Sequence, residues 1–203
     1  MIAEIRKSGV MAILRNKTAK ESIDYGVALA EVGLEVMEVT LTNPEALEAI
    51  KILREKYPNL LVGAGTVLNE TDAKDAISAG AQFLVAPGVN KGMIEEALSQ
   101  NVLPIPGVLT PTDVMQALEA GAKFLKIFPA SILGVAYLKS IKDVFPQASW
   151  MPTGGIGLNN AQEWLEAGVV TLGAGGSLTK GPIDSAQQIA KDLLALVKKV
   201  RGA

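Results

Sequence analysis

Two charged residues stand inside otherwise apolar, β-branched runs. They are Glu38 in Val36-Met37-Glu38-Val39 and Lys126 in Phe124-Leu125-Lys126-Ile127-Phe128. An ionised group in a dry strand costs several kcal/mol unless it is paired or solvated. The chain has no histidine and no cysteine. That excludes an imidazole base, a thiolate nucleophile, a disulfide and any metal site built on His or Cys. Nucleophilic and acid–base chemistry must come from Lys, Glu, Asp, Tyr, Ser, Thr or backbone amides. A lysine desolvated by an apolar pocket gives up its proton more readily, and its neutral amine attacks carbonyl carbon. A nearby carboxylate can move protons, but it also favours the ammonium, and the two effects oppose each other. The alternative reading is a buried ion pair with a structural role only.

Other groups gather at the ends of such runs. Thr153-Gly154-Gly155-Ile156-Gly157 and Gly173-Ala174-Gly175-Gly176-Ser177 follow the last two of them. Loop amides of this kind suit a phosphate, although glycines also serve simply as turn formers. In Gly63-Ala64-Gly65-Thr66 the missing side chains let a ligand approach the backbone, and a hydroxyl stands at the strand end. Arg15 closes the first run, where it can bind a carboxylate or merely face solvent.

These residues need a scaffold, and the hydrophobic pattern supplies one. Eight short apolar runs occupy 10–14, 36–41, 60–67, 83–87, 102–108, 124–129, 149–153 and 169–172, with starts 19 to 26 residues apart. That spacing holds one strand, one helix and two loops. Thr18 with Glu21, Asn159 with Gln162 and Asp184 with Gln187 read as capping boxes. Asn43-Pro44 and Thr110-Pro111 put a cap before a first-turn proline. Gly33, Gly80, Gly121 and Gly168 stand where helices end. Ala-Gly-Ala-Gln-Phe-Leu from 79 recurs as Ala-Gly-Ala-Lys-Phe-Leu from 120. The expected fold is α/β: one (β/α)8 TIM-barrel domain over residues 1–203. A doubly wound open sheet ranks second, because no G-x-G-x-x-G follows the first run. In a barrel, Glu38 on the second strand and Lys126 on the sixth share side-chain layers and face each other across the axis.

Composition narrows the partners. Of 203 residues, 49% are apolar and 20% charged, and the net charge is −2. With few aromatics and no basic run, nucleic acid is a poor partner. No apolar stretch reaches the ~18 residues of a membrane span, and residues 1–8 lack the apolar core of a signal peptide. A soluble cytoplasmic protein is expected. The absence of both His and Cys also admits an engineered origin.

Taken in order, Ala12-Ile13-Leu14-Arg15, Glu38-Val39-Thr40-Leu41-Thr42, Gly63-Ala64-Gly65-Thr66-Val67, Pro106-Gly107, Leu125-Lys126-Ile127-Phe128-Pro129-Ala130 and Pro152-Thr153-Gly154-Gly155-Ile156 resemble the 2-keto-3-deoxy-6-phosphogluconate aldolase family. The resemblance covers essentially the whole chain. It implies a class I aldolase of the Entner–Doudoroff pathway, a homotrimer of (β/α)8 barrels needing no metal and no cofactor. By that resemblance Lys126 forms the Schiff base with the substrate ketone, and Glu38 moves protons through a water. Thr66 contacts the pyruvate carboxylate, and Thr153 meets a substrate hydroxyl. Amides near Gly154, Gly155, Gly176 and Ser177 hold the 6-phosphate. Some members carry an arginine directly after the Thr-Leu of the second strand. Here that position is Thr42, and Arg15 takes the role. The implied reaction cleaves 2-keto-3-deoxy-6-phosphogluconate to pyruvate and glyceraldehyde 3-phosphate. The galactonate epimer and 4-hydroxy-2-oxoglutarate are alternative substrates, with Thr153 favouring the gluconate. An engineered self-assembling trimeric scaffold is the alternative from another class.

Overall fold

Strands and helices alternate through residues 1–202, which the computed structural model describes. The strands are β1 (Val10–Leu14), β2 (Val36–Thr40), β3 (Leu61–Gly65), β4 (Phe83–Val85), β5 (Leu103–Ile105), β6 (Gly107–Val108), β7 (Phe124–Ile127), β8 (Ser149–Pro152) and β9 (Leu172–Ala174). The helices are α1 (Ile2–Ser8), α2 (Ala19–Glu31), α3 (Ala46–Lys56), α4 (Glu70–Ser78), α5 (Lys91–Ser99), α6 (Pro111–Glu119), α7 (Ala130–Val144), α8 (Ala161–Glu166), α9 (Gly176–Thr179) and α10 (Ile183–Arg201). All strand pairs are parallel.

The strands form two sheets rather than one continuous eight-stranded ring. One has the order β5-β4-β3-β2-β1-β9, the other β6-β7-β8. The fifth apolar run divides at Pro106, which has no N–H to offer a ladder. Its first half pairs with β4 and its second with β7. Between β8 and β9, Thr153 and Gly173 form a parallel bridge. The Val170 N–H donates to the Trp150 carbonyl at 2.9 Å. Both sheets feed one apolar cluster. Met11, Val36, Phe83, Val85, Ile105, Phe124, Met151 and Val170 pack together, with Ile5 of α1 among them. A larger apolar layer lies between strands and helices. Strand alternation then places Ile13, Glu38, Lys126 and Thr153 two residues beyond members of the inner cluster.

Local signals close to the backbone were realised where the chain itself supplies both partners. Gly33, Gly80, Gly121 and Gly168 take φ of 90°, 97°, 97° and 79°, the left-handed region only glycine enters freely. Thr110 and Asp113 complete a reciprocal capping box with Pro111 in the first turn. Thr18 accepts from the Glu21 N–H, but Glu21 turns to the Lys17 N–H instead of closing the box. Three expected caps differ. Asn159 does not cap α8. Its neighbour Asn160 holds the preceding loop, accepting from the Gly157 N–H and donating to the Gly155 carbonyl. α10 starts after Pro182 with Asp184 in its first turn, while Gln187 reaches across to the Ala28 carbonyl. Asn43 caps a turn at the Glu45 N–H, and α3 begins at Ala46.

Candidate active site

Glu38 lies mid-strand in β2 and Lys126 in β7, on different sheets. Both are buried, at 0% and 4% exposure. No ion pair joins them. The four pairs among the described residues all lie elsewhere. Neither Glu38 carboxylate oxygen has a hydrogen-bond partner within the protein. Burial pushes the Glu38 carboxyl above the usual carboxylate range, with the charges of Lys126 and Arg15 opposing. Burial pushes the Lys126 ammonium below the usual lysine range. Glu38 opposes that, and Arg15 reinforces it. Burial disfavours the charged form of each, and the charge of each opposes that effect in the other. The Lys126 nitrogen also stands 5.0 Å from the centre of the Phe128 ring, which favours its charged form slightly.

Two glycines make room for polar side chains of a neighbouring strand or loop, Gly65 for Glu38 and Gly173 for Thr153. In register, Glu38 pairs with Gly63, Thr40 with Gly65, Lys126 with Gly107 and Thr153 with Gly173. A Cβ on Gly65 would stand 2.6 Å from Glu38 Oε1, and one on Gly173 would collide with Thr153 Oγ1. The space at Gly63 is filled by the Phe83 ring. The glycines of β3 thus admit the protein's own side chains to the backbone, where a ligand was expected. Thr66, directly after β3, has φ 57°, a left-handed conformation that threonine adopts only under constraint.

An open cleft of about 590 Å³ collects most of the remaining candidates. Arg15, Thr153, Gly154, Gly155, Gly176 and Ser177 all line it, together with Phe128. Glu38, Lys126 and Thr66 are not in its wall. Arg15 links the two groups, since it lines the cleft while its charge acts on both buried residues. Thr153 Oγ1 is buried with no partner in the protein. Among the described residues, the amide N–H groups of Gly154, Gly155, Gly176 and Ser177 donate to no other protein group, whereas the Ser177 hydroxyl is committed to the Ile156 carbonyl at 2.9 Å. The cleft contains no acidic side chain but two cations, Arg15 and Lys180.

Lys180 was missed by sequence reasoning. A solitary exposed lysine after a glycine cluster carries no local signal separating it from a solvated one. Phe128 was legible only as part of its strand. Among the described residues no three His, Cys, Asp or Glu side chains cluster as a metal site would require.

The arrangement can perform amine–carbonyl chemistry beside an anion-accepting cleft. Comparison with known proteins agrees with that chemistry. The family described as KDPG and KHG aldolase matches residues 1–195. The chain is 42% identical over 163 residues to the 2-dehydro-3-deoxy-phosphogluconate aldolase of Zymomonas mobilis, covering 80% of this chain and 78% of that protein. It is 33% identical over 199 residues to the 2-dehydro-3-deoxy-6-phosphogalactonate aldolase of Escherichia coli, covering 97% of each. It is also similar to the crystal structure of the 2-keto-3-deoxy-6-phosphogluconate aldolase of Zymomonas mobilis with 3-phosphoglycerate. The TM-score is 0.88 at 35% identity, over 96% of this chain and 95% of that one.

Proposed function

The chain belongs to the KDPG and KHG aldolase family, and from that premise we propose that it cleaves 2-keto-3-deoxy-6-phosphogluconate to pyruvate and glyceraldehyde 3-phosphate through a Schiff base on Lys126. The observation that carries this reading is the burial together of one lysine, Lys126, and one glutamate, Glu38, whose carboxylate oxygens have no partner in the protein, with burial disfavouring the charged form of each.

The free amine of Lys126 adds to the C2 ketone. Glu38 donates its proton, through a water, as the carbinolamine loses hydroxide as water. The product is a protonated imine, an iminium that carries a positive charge. That charge favours the Glu38 carboxylate and switches the residue from acid to base. The carboxylate then takes the proton of the C4 hydroxyl, again through a water. The C3–C4 bond breaks, its electron pair passes into the iminium, and glyceraldehyde 3-phosphate leaves as the aldehyde. Proton return to C3 of the enamine and hydrolysis of the iminium release pyruvate and the amine. Arg15 and Thr66 receive the keto-acid carboxylate, Thr153 a substrate hydroxyl, and the amides of Gly154, Gly155, Gly176 and Ser177 the phosphate.

On the same reading the two sheets make up a (β/α)8 barrel, with β5 and β6 counted as one strand. The Thr153–Gly173 bridge and the shared apolar cluster support it. A homotrimer is part of the proposal. Leu109, Met115 and Ile132 are apolar and exposed on adjoining segments, and the Tyr137 hydroxyl of α7 bonds the Leu109 carbonyl. So is a cytoplasmic location; no helix among the described residues is long and apolar enough to cross a membrane.

The galactonate epimer is a second substrate reading, favoured by the full-length match to the Escherichia coli enzyme. Relative kcat/KM for the two epimers decides between them. The central test is pyruvate with borohydride, read by peptide mass. One reduced adduct on the Lys126 peptide is expected. No adduct, or adducts spread over surface lysines such as Lys198 and Lys199, overturns the assignment.

A further inference from the structure

We propose that Lys180 is the side chain by which this site selects phosphorylated substrates, pairing with the phosphate dianion at the end of the cleft away from Lys126. The proposal rests on the reading above and deepens it.

The cleft is cationic by construction. Its wall holds Arg15 and Lys180 and no carboxylate. Lys180 takes part in none of the ion pairs among the described residues, so its charge is not already spent on a neighbour. The two cations serve different ends. Arg15 perturbs both Glu38 and Lys126, whereas Lys180 does not figure among the charges acting on either. Arg15 thus acts on the reacting centre, whereas Lys180 lies against Gly176 of the glycine cluster. There the Lys180 side chain runs past Gly176, with its Cε 3.1 Å from where a Cβ would stand. A glycine at 176 leaves the lysine stem free to lie over the undonated amides.

The segment carrying Lys180 is pinned on both sides. The Thr179 hydroxyl donates to the Gly175 carbonyl at 3.2 Å, and the Tyr25 hydroxyl donates to the Gly181 carbonyl. The ammonium is thus tethered beside the amides of Gly154, Gly155, Gly176 and Ser177 by a fixed backbone. The Ser177 and Thr179 hydroxyls are both committed to carbonyls. At the glycine cluster the charge that distinguishes a phosphate dianion from a neutral hydroxyl is supplied by Lys180, whose stem lies against Gly176. A point charge on a flexible stem suits that task, as it does in other phosphate sites.

The experiment measures steady-state kinetics and pyruvate trapping on the wild type, Lys180→Gln and Lys180→Arg. The substrates are the phosphorylated keto acid and its unphosphorylated analogue, 2-keto-3-deoxygluconate. In Lys180→Gln, KM for the phosphorylated substrate should rise about tenfold or more, with kcat within about twofold, as loss of one charge-assisted contact predicts. Its kcat/KM for the unphosphorylated analogue and its rate of pyruvate trapping should stay at the wild-type values. Lys180→Arg should restore most of the affinity. If KM rises less than about threefold while trapping is intact, Lys180 does not bind phosphate and the aldolase reading stands. If trapping falls in Lys180→Gln, the residue acts on the reacting centre or the fold, and the proposal is overturned. If the wild type itself traps no pyruvate at Lys126, the underlying reading fails and takes this one with it.

Discussion

Gly65 carries no side chain where Glu38 needs the space: a Cβ there would stand 2.6 Å from Glu38 Oε1 and 3.2 Å from Thr40 Cγ2. The residue that holds the buried acid in place is thus an absent methyl group on the adjacent strand. Gly65→Ala must displace the carboxylate, because the far end of the glutamate is the softest thing to move. Overpacking of this kind costs about 1 to 3 kcal/mol of stability. A shift of about 1 Å in a reacting group costs on the order of 100-fold in rate. The expected result is a folded variant with a modest drop in Tm and a kcat lowered far more. A kcat near wild type would mean that Glu38 does not act at the position it occupies.

Imine formation should report the depressed ammonium of Lys126. Only the neutral amine attacks, so the pyruvate trapping rate should rise with pH. Its midpoint should lie below the ordinary lysine value of about 10.4. Glu38→Gln should lower the midpoint further, because the Glu38 charge is what opposes burial. A midpoint at or above the ordinary value would show that the amine is solvated.

Stability should change with pH in the sense set by Glu38. Its folded pKa is raised by burial. Above the ordinary glutamate value of about 4.3 the unfolded chain ionises first, so the native state loses stability as pH rises through the folded pKa. Every tenfold difference in proton affinity between the folded and unfolded chain is worth about 1.4 kcal/mol. Glu38→Gln removes that loss. Its Tm relative to wild type should therefore climb as pH rises above the ordinary glutamate value of about 4.3. Lys126, lowered by burial, is destabilising on the acid side. A difference independent of pH, measured by thermal melts across the range, would show that the carboxyl is not buried in solution.

Chelation should leave activity intact. The proposed chemistry uses the iminium formed on Lys126 as the electron sink, and among the described residues no cluster of acids stands ready for a divalent cation. Exhaustive treatment with a chelator is expected to change the cleavage rate less than twofold, where each tenfold is worth about 1.4 kcal/mol. Loss of activity restored by magnesium would replace the Schiff-base mechanism with a metal-assisted one.

Lys126→Arg should be inactive. Guanidinium stays protonated at any working pH and cannot form the imine. Retained turnover, measured with pyruvate release, would move the nucleophile to another lysine.

The parts of this protein legible in its sequence are those whose cause is local. Strand–helix alternation follows from hydrophobic spacing. The left-handed helix ends at Gly33, Gly80, Gly121 and Gly168 follow from backbone sterics. The box at Thr110 follows from two residues three apart. Glu38 and Lys126 were visible because a charge inside an apolar run demands a partner or a purpose, whatever lies around it. What the tertiary structure decided is long-range. Register, set by strands 19 to 26 residues apart, seats Glu38 beside Gly63, Lys126 beside Gly107 and Thr153 beside Gly173. The packing that results lets Gly65 make room for Glu38 and Gly173 for Thr153, and no short window of sequence contains both members of either pair. Pro106 divides a strand only because its two neighbours belong to different sheets. Asn160 rather than Asn159 holds the α8 entry because it can reach both Gly155 and Gly157. Lys180 enters the cleft through the path of α9 back toward Ile13 and Gly175. An exposed lysine has no hydrophobic pattern and no steric requirement, so only the folded chain could say which surface it serves.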